Sequence, residues 1–291
     1  PAQAEIVGFS FSTAANSGWY IPIMYKEKEN NNFADDDLVF ILNKLKNIFE
    51  DSSKSKTGQN IKYDAHILKR HDIDLKGLSF DTMIAAHLLN PSARSNALGT
   101  LSLEYLNYEM VNIDELIGKG KTQILMSEVA LEEASFYAVE DADIAFQLTK
   151  ILKDKLKENS LYEFYDSIEI PLVPVLIDME YNGVYVDSEL LGSMSEEIGK
   201  KLDGLISSIY KISSKEFNIN STQQLAIILF DDLGLPKIKK RSTAEDVLKK
   251  LEGYHELPRL ILKYRKYNKL KSTYLDSLSE LIQNKTGRIH T

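Results

Sequence analysis

Cysteine is absent from the 291-residue sequence, which excludes disulfides, thiolate zinc sites and cysteine nucleophiles together. The same absence fits an intracellular, reducing environment. Histidine is sparse, five residues with no HExxH-like pair, so carboxylates are the metal ligands to look for. No run of about eighteen or more apolar residues occurs, and no membrane span is expected. The opening PAQAEIVGFSFS lacks a basic stretch ahead of its apolar residues, so no secretory signal is expected there. Internal repeats and low-complexity tracts are also missing.

What is present reads as a soluble globular protein: 43% hydrophobic and 27% charged residues, in a chain long enough for two domains. The net charge of −8 argues against a nucleic-acid partner, but its distribution argues the other way. Between Lys237 and Lys271 stand twelve basic residues and four acidic ones, a surplus of eight positive charges. A solvated helical surface and an anion-binding face both carry such a pattern, and charge alone does not separate them.

The first half mixes strands and helices. Ala4–Ser12 and Trp19–Tyr25 read as strands joined by an Asn-Ser-Gly turn, as in a hairpin. Helical periodicity follows over Asp36–Phe49, near Ala65–Arg70, Asp81–Leu89 and Leu98–Leu106, and over a long stretch from Leu131 to about Leu156. The second half is nearly all helical. Ile170–Tyr181 is apolar and closes at Asn182-Gly183, and Val184-Tyr185-Val186 is extended. Two long amphipathic helices, one begun by Asp187 or Ser188 and one over about Leu257–Gln283, should pack as an antiparallel pair. Capping boxes are expected at Ser221-x-x-Gln224 and Ser242-x-x-Glu245.

Two carboxylates stand where chemistry could sit. Asp64 ends Gly58-Gln59-Asn60-Ile61-Lys62-Tyr63-Asp64, where a strand end gives way to a helix. Asp141 lies four residues after Tyr137 on the long helix, so phenol and carboxylate share a face. Phosphodiester hydrolysis by two metals needs carboxylates that hold the cations roughly 3.5–4 Å apart, and a tyrosine hydroxyl can orient the attacking water. A wet helix face, with Asp64 as an N-cap, uses the same residues.

The blocks GQNIKYD, FDTMIAAHLLNP, IGKGKTQ, YAVEDADIAFQL, IEIPLVPVLIDMEYNGVYVD, FNINSTQQLAIILFDDLGLP, YRKYNKLKSTY and NKTGRIHT occur in this order. Their order and spacing resemble the large fragment of bacterial family A DNA polymerases, over essentially the whole chain. The resemblance implies an α/β, ribonuclease-H-like 3′→5′ exonuclease domain over residues 1–158, of the DEDD group that uses two Mg²⁺ or Mn²⁺ ions. An all-α thumb with two long antiparallel helices is implied over 159–291. It puts catalytic positions at Asp64, Tyr137 and Asp141, with the two acids as metal ligands. Gln59, Asn60 and Tyr63 fall where the family handles the single-stranded 3′ end. Glu140 and Asp143 are expected to face solvent, and Asp81 to cap a helix. The family's first motif, an Asp-x-Glu pair on the opening strand, is expected upstream of Pro1. The domain is therefore expected without its first strand, and the chain as given with little or no exonuclease activity. The polymerase carboxylates are expected beyond Thr291.

On the thumb, the resemblance assigns duplex contacts to Asn220, Ser221 and Thr222, at a helix start whose free amides suit a phosphate. It assigns further contacts to Arg265, Lys269 and Lys271. Such contacts supply salt-dependent affinity without reading sequence. Tyr264, Tyr267 and Tyr274 are expected to pack rather than stack on bases. The implied partners are primer–template DNA and a single-stranded 3′ end, with no membrane, for a monomer at the cytoplasmic nucleoid in replication and repair. Two other functions compete. A stand-alone DEDD nuclease of the ribonuclease D kind would need the Asp-x-Glu pair and would not carry the thumb blocks. A pseudo-exonuclease scaffold that only binds DNA is opposed by the retained acids.

Overall fold

The computed structural model describes residues 5–25, 35–284 and 286–290. Two compact units divide it, Pro1–Tyr181 and Asn182–Thr291.

The first unit opens with a hairpin of β1 (Gly8–Ala14) and β2 (Ser17–Pro22), antiparallel, with Phe9 opposite Ile21 and Phe11 opposite Trp19. Asn16 turns the chain at φ 60, a conformation asparagine tolerates better than most residues. The ladder starts later than the strand expected from Ala4, which itself lies outside the described residues. Helix α1 (Asp35–Phe49) buries Leu42, Leu45 and Phe49 with Ile6 and Ile23. Next, β3 (Lys56–Gly58), α2 (Ile61–Lys69) and β4 (Leu78–Asp81) form a βαβ unit with parallel strands. Helices α3 (Thr82–Leu89), α4 (Leu98–Leu106) and α5 (Ile113–Ile117) lead to the longest, α6 (Leu131–Glu158).

Helix α6 is the spine. Ile144, Leu148, Leu152 and Leu156 recur at four-residue steps and bury with Phe80, Ala85, Ala86 and Leu101, as a helical stripe requires. The hairpin lies across it so closely that a Cβ on Gly18 would stand 2.7 Å from Val139 Cγ1. The unit ends with α7 (Tyr162–Phe164), a π-helical turn at Tyr165–Glu169, and α8 (Ile170–Asn182).

The expected boundary at residues 158/159 thus falls inside the first unit, and the units divide at 181/182. Tyr165 is one reason. Its ring is fully buried 4.9 Å from that of Phe80, and its hydroxyl bonds the main chain of Asp81. Val173 and Ile177 of α8 pack on Ala65 of α2. Lys62 and His66 of α2 meet Glu180 at 2.5 and 2.8 Å, and Lys69 pairs with Asp178. An apolar helix does not announce in sequence which core it will join.

In the second unit, β5 (Val184–Tyr185) pairs antiparallel with β6 (Arg288–Ile289). Asp187 caps α9 (Ser188–Ser213) by accepting the Leu190 N–H at 2.9 Å. There follow α10 (Thr222–Ile227), a π stretch Ile228–Asp232, α11 (Glu245–Leu251), α12 (Leu257–Lys269), a π stretch Leu270–Asp276 and α13 (Ser277–Glu280). Ile198, Leu202, Leu205 and Ile209 of α9 share a core with Leu257, Ile261 and Tyr264 of α12. The two run antiparallel, since Ser195 near the start of α9 bonds Lys271 and Asp276 beyond the end of α12. Leu275 continues this buried face, while Tyr274, expected to pack, is 48% exposed.

Neither serine forms the full box expected. Ser221 accepts the Gln224 N–H at 3.3 Å, but Gln224 returns its side-chain oxygen to the Asn218 N–H. Ser242 accepts from Ala244, which precedes α11, and Glu245 pairs with Lys249. No helix among the described residues is long and apolar enough to cross a membrane.

Candidate functional site

The start of α2 is built by a carboxylate outside it. Asp81, buried at the end of β4, accepts the Ile61 N–H at 2.8 Å on one oxygen. Its other oxygen accepts Met83 and Ile84 N–H at 2.9 and 3.2 Å. One side chain therefore satisfies open donors of two helices, which extends the cap expected of it. Asn60, just before α2, is left-handed at φ 55. Gln59 is held at both ends of its amide, donating to the Asn96 carbonyl at 2.8 Å and accepting from the Thr82 hydroxyl. Tyr63 is 43% exposed.

Asp64, one turn into α2, has neither a hydrogen-bond nor an ion-pair partner among the described residues. Its surface is open to water, yet protein packs closely around its remaining sides. That enclosure, and secondly the charge of Asp81, pushes its carboxyl up to about 7.

Helix α6 supplies the second acid. Tyr137 and Asp141 stand one turn apart on it. Burial holds the Asp141 carboxyl up at about 6, with Tyr137 opposing the shift and the Glu140 charge adding to it. Burial also raises the Tyr137 phenol above its ordinary value. Glu140 and Asp143 do not face solvent as expected. Glu140 is 7% exposed and accepts from the Tyr108 hydroxyl at 2.8 Å and the Val111 N–H at 3.0 Å. Asp143 accepts from the Asn16 N–H at 2.9 Å, the Ser12 hydroxyl at 3.4 Å and the Gln147 amide at 2.7 Å. Chain segments far away in sequence pack on both flanks of α6, and no signal within the helix reveals them.

Asp64 and Asp141 fit a divalent cation in chemistry: two carboxylates whose charge is disfavoured and which no cation offsets. Among the described residues no group of three or more His, Asp or Glu is placed to hold a metal. Two carboxylates alone are short of the shell that two ions need.

In the second unit, Asn220, Thr222 and Arg265 line one cleft of about 850 Å³ together with Gln223, Arg241 and Thr243. Ser221 caps α10 beside them. Arg265 is partly withdrawn, donating to the Thr243 carbonyl at 2.6 Å, and burial lowers its pKa. Tyr264 is buried and accepts from the Asn220 amide at 3.2 Å, a packing role. Lys269 lies exposed one turn beyond Arg265. Lys271 stands apart: it donates to Ser195 at 2.5 Å and to Asp276 at 3.1 Å, tying the π stretch to α9. The basic surplus is smaller in space than along the chain. Arg241 forks onto Asp231 at 2.7 and 2.6 Å, and Lys249 and Arg259 pair with Glu245 and Glu256. Lys237, Lys239, Lys240, Lys263 and Lys266 remain exposed.

A model of the 3′-5′ exonuclease family matches residues 2–157, and one of DNA polymerase family A matches residues 188–291. DNA polymerase I of Pseudomonas aeruginosa is 41% identical over 298 residues, which is 99% of this chain and 32% of that protein. The Borreliella burgdorferi DNA polymerase I is 40% identical over 99% of this chain and 31% of its own length. The chain thus spans about a third of the length of these relatives. Among solved structures, the POL domain of Pol1 from M. smegmatis, in complex with DNA primer-template and dNTP, matches with a TM-score of 0.76 and 25% identity, over 94% of this chain and 43% of that one. The acid–tyrosine set of α2 and α6 lies in the first matched segment and the Asn220–Arg265 cleft in the second: the chain belongs to the 3′-5′ exonuclease family through residues 2–157 and to DNA polymerase family A through residues 188–291.

Proposed function

We propose that the first unit is a metal-dependent 3′→5′ exonuclease centre and the second a grip on primer–template DNA, working together in a DNA polymerase of replication and repair. One observation carries the first half. Asp64 and Asp141 have raised pKa values and no cationic partner among the described residues, in contrast to Asp81, Glu140 and Asp143, whose oxygens are taken by protein donors. Asp64 and Asp141 would hold Mg²⁺ or Mn²⁺, which when bound supplies charge stabilisation and an acidified water. Tyr137, one helical turn before Asp141, orients that water, and Gln59, Asn60 and Tyr63 present the single-stranded 3′ end. A cytoplasmic, nucleoid-associated monomer is the setting this reading implies.

The duplex grip falls to Asn220, Ser221, Thr222, Arg265 and Lys269, with the primer–template bound by the M. smegmatis relative as its support. Lys271 belongs to the grip only when it leaves Ser195 and Asp276. Contacts to phosphates position DNA without reading its sequence.

The test is a time course of 5′-labelled single-stranded DNA with Mn²⁺. Slow trimming from the 3′ end is expected, because two acids hold the ions weakly, and Asp141→Ala should abolish it. A second reading, a scaffold that binds DNA without cutting it, is favoured by the absence of a three-ligand group among the described residues. A protein extended upstream through the expected Asp-x-Glu segment that binds the strand and still leaves it intact in Mn²⁺ would establish the scaffold instead.

A further inference from the structure

We infer that Asp81 is a positioning residue for the 3′-end-binding surface: it fixes the shape of Gln59-Asn60 and the first turn of α2, and with them the placement of Tyr63 and Asp64. The inference rests on the exonuclease reading above. The Asp81 carboxylate accepts from Ile61, Met83 and Ile84. Three main-chain donors from two helix starts therefore converge on one buried side chain, and ordinary capping uses one helix. The left-handed region at φ 55 is strained for most side chains, and a carboxylate that fixes the Ile61 amide next in the chain holds Asn60 there. The anchor is itself anchored. The Tyr165 hydroxyl accepts the Asp81 N–H at 2.6 Å and donates to the Asp81 carbonyl at 3.0 Å. Next door, Thr82 donates to Gln59 and to the Gly58 carbonyl. Residues 81 and 82 thus grip the 58–61 segment from the adjacent parallel strand.

Asp81→Asn keeps size and shape but faces one or two of these amides with an NH₂ group, which cannot accept. Removing an anion beside a site for a polyanion would, by charge alone, tighten single-strand binding. Loss of positioning predicts the opposite sign. In EDTA, the affinity of the whole chain for a labelled single-stranded oligonucleotide is expected to fall about tenfold, a typical consequence of leaving such a donor unmatched. The amide NMR resonances of Asn60 and Ile61 are expected to shift and exchange faster with solvent. Leu156→Ala, in the same core at the far end of α6, serves as a stability control. Measured with both proteins folded, it should leave affinity and those resonances unchanged. Unchanged or tighter binding by Asp81→Asn, or an equal loss in Leu156→Ala, overturns the inference. Tyr63→Ala is run alongside: if it too binds as the wild type does, the assigned 3′-end surface fails and takes this inference with it, whereas a loss confined to Tyr63→Ala sinks the Asp81 inference alone.

Discussion

Replacing Tyr165 by Phe deletes one oxygen from the centre of the first unit and little else. The residue is 0% exposed, and its ring, 4.9 Å from Phe80, stays. The hydroxyl meets both main-chain groups of Asp81, at 2.6 Å from the nitrogen and 3.0 Å to the carbonyl oxygen. Buried main-chain groups left without partners each cost about 1–3 kcal/mol, so the two together should cost about 2–4 kcal/mol, as the site can relax around one of them. For a unit of this size a loss of about 3 kcal/mol corresponds to a fall of about 6–12 °C in Tm. The only tryptophan in the chain, Trp19, lies in the same unit, so its fluorescence during urea unfolding reports on this unit and not on the helical one. A Tyr165→Phe chain that loses less than about 1 kcal/mol would refute the claim that the hydroxyl satisfies both groups.

Gly18→Ala would put a Cβ 2.7 Å from Val139 Cγ1 and 2.9 Å from the Phe11 carbonyl; a loss of about 1–3 kcal/mol is expected from such overpacking, partly recovered by adding Val139→Ala, and read by the same fluorescence. Burial works against the Glu180 carboxylate, but Lys62 and His66 outweigh it and hold its pKa below the ordinary 4.5. A carboxyl lowered in the folded state stabilises fully above that ordinary value and loses its contribution as the pH falls through the folded one. Urea midpoints taken from pH 7 down to pH 3 should therefore show a decline that Glu180→Gln makes shallower, by about 1 kcal/mol for a pair still partly open to water. In the second unit, Arg265→Ala should weaken duplex binding for every sequence alike and reduce the slope of log affinity against log salt by about 1; a change that depends on sequence would contradict a phosphate contact.

The helices were legible because their signals are local. The stripe on α6, the Asp187 cap and the apolar faces of α9 and α12 need only three- and four-residue spacing. The hairpin was legible from alternation and its turn. The failures share one cause, which is that the deciding partner is distant along the chain. Glu140 looked solvated because Tyr108 and Val111, which bind it, lie some thirty residues upstream of it. Asp143 is claimed by Ser12 and Asn16 of the hairpin. Helix α8 carried no mark that Tyr165, just ahead of it, would bind Asp81 across more than eighty residues.

The acids of the first unit sort by how their lone pairs are filled. Asp81 has three main-chain donors, Glu140 a phenol and an amide, and Asp143 an amide, a hydroxyl and a carboxamide. Each joins segments that would otherwise move independently: two helix starts, the 108–111 segment to α6, and the hairpin turn to α6. A carboxylate saturated in this way has little left to offer a cation. Asp64 and Asp141 are the reverse, held by the same helices and left without offsetting charge. Their placement is inherited from their neighbours, since α2 is positioned by Asp81 and the middle of α6 by Glu140 and Asp143. Substituting Asp81, Glu140 or Asp143 should then disturb the placement of Asp64 or Asp141, while substituting Asp64 or Asp141 should leave the fold intact or slightly more stable, because it removes a charge that its surroundings disfavour. That asymmetry distinguishes an acid kept for a cation from one kept for the fold, and it can be read without a metal present.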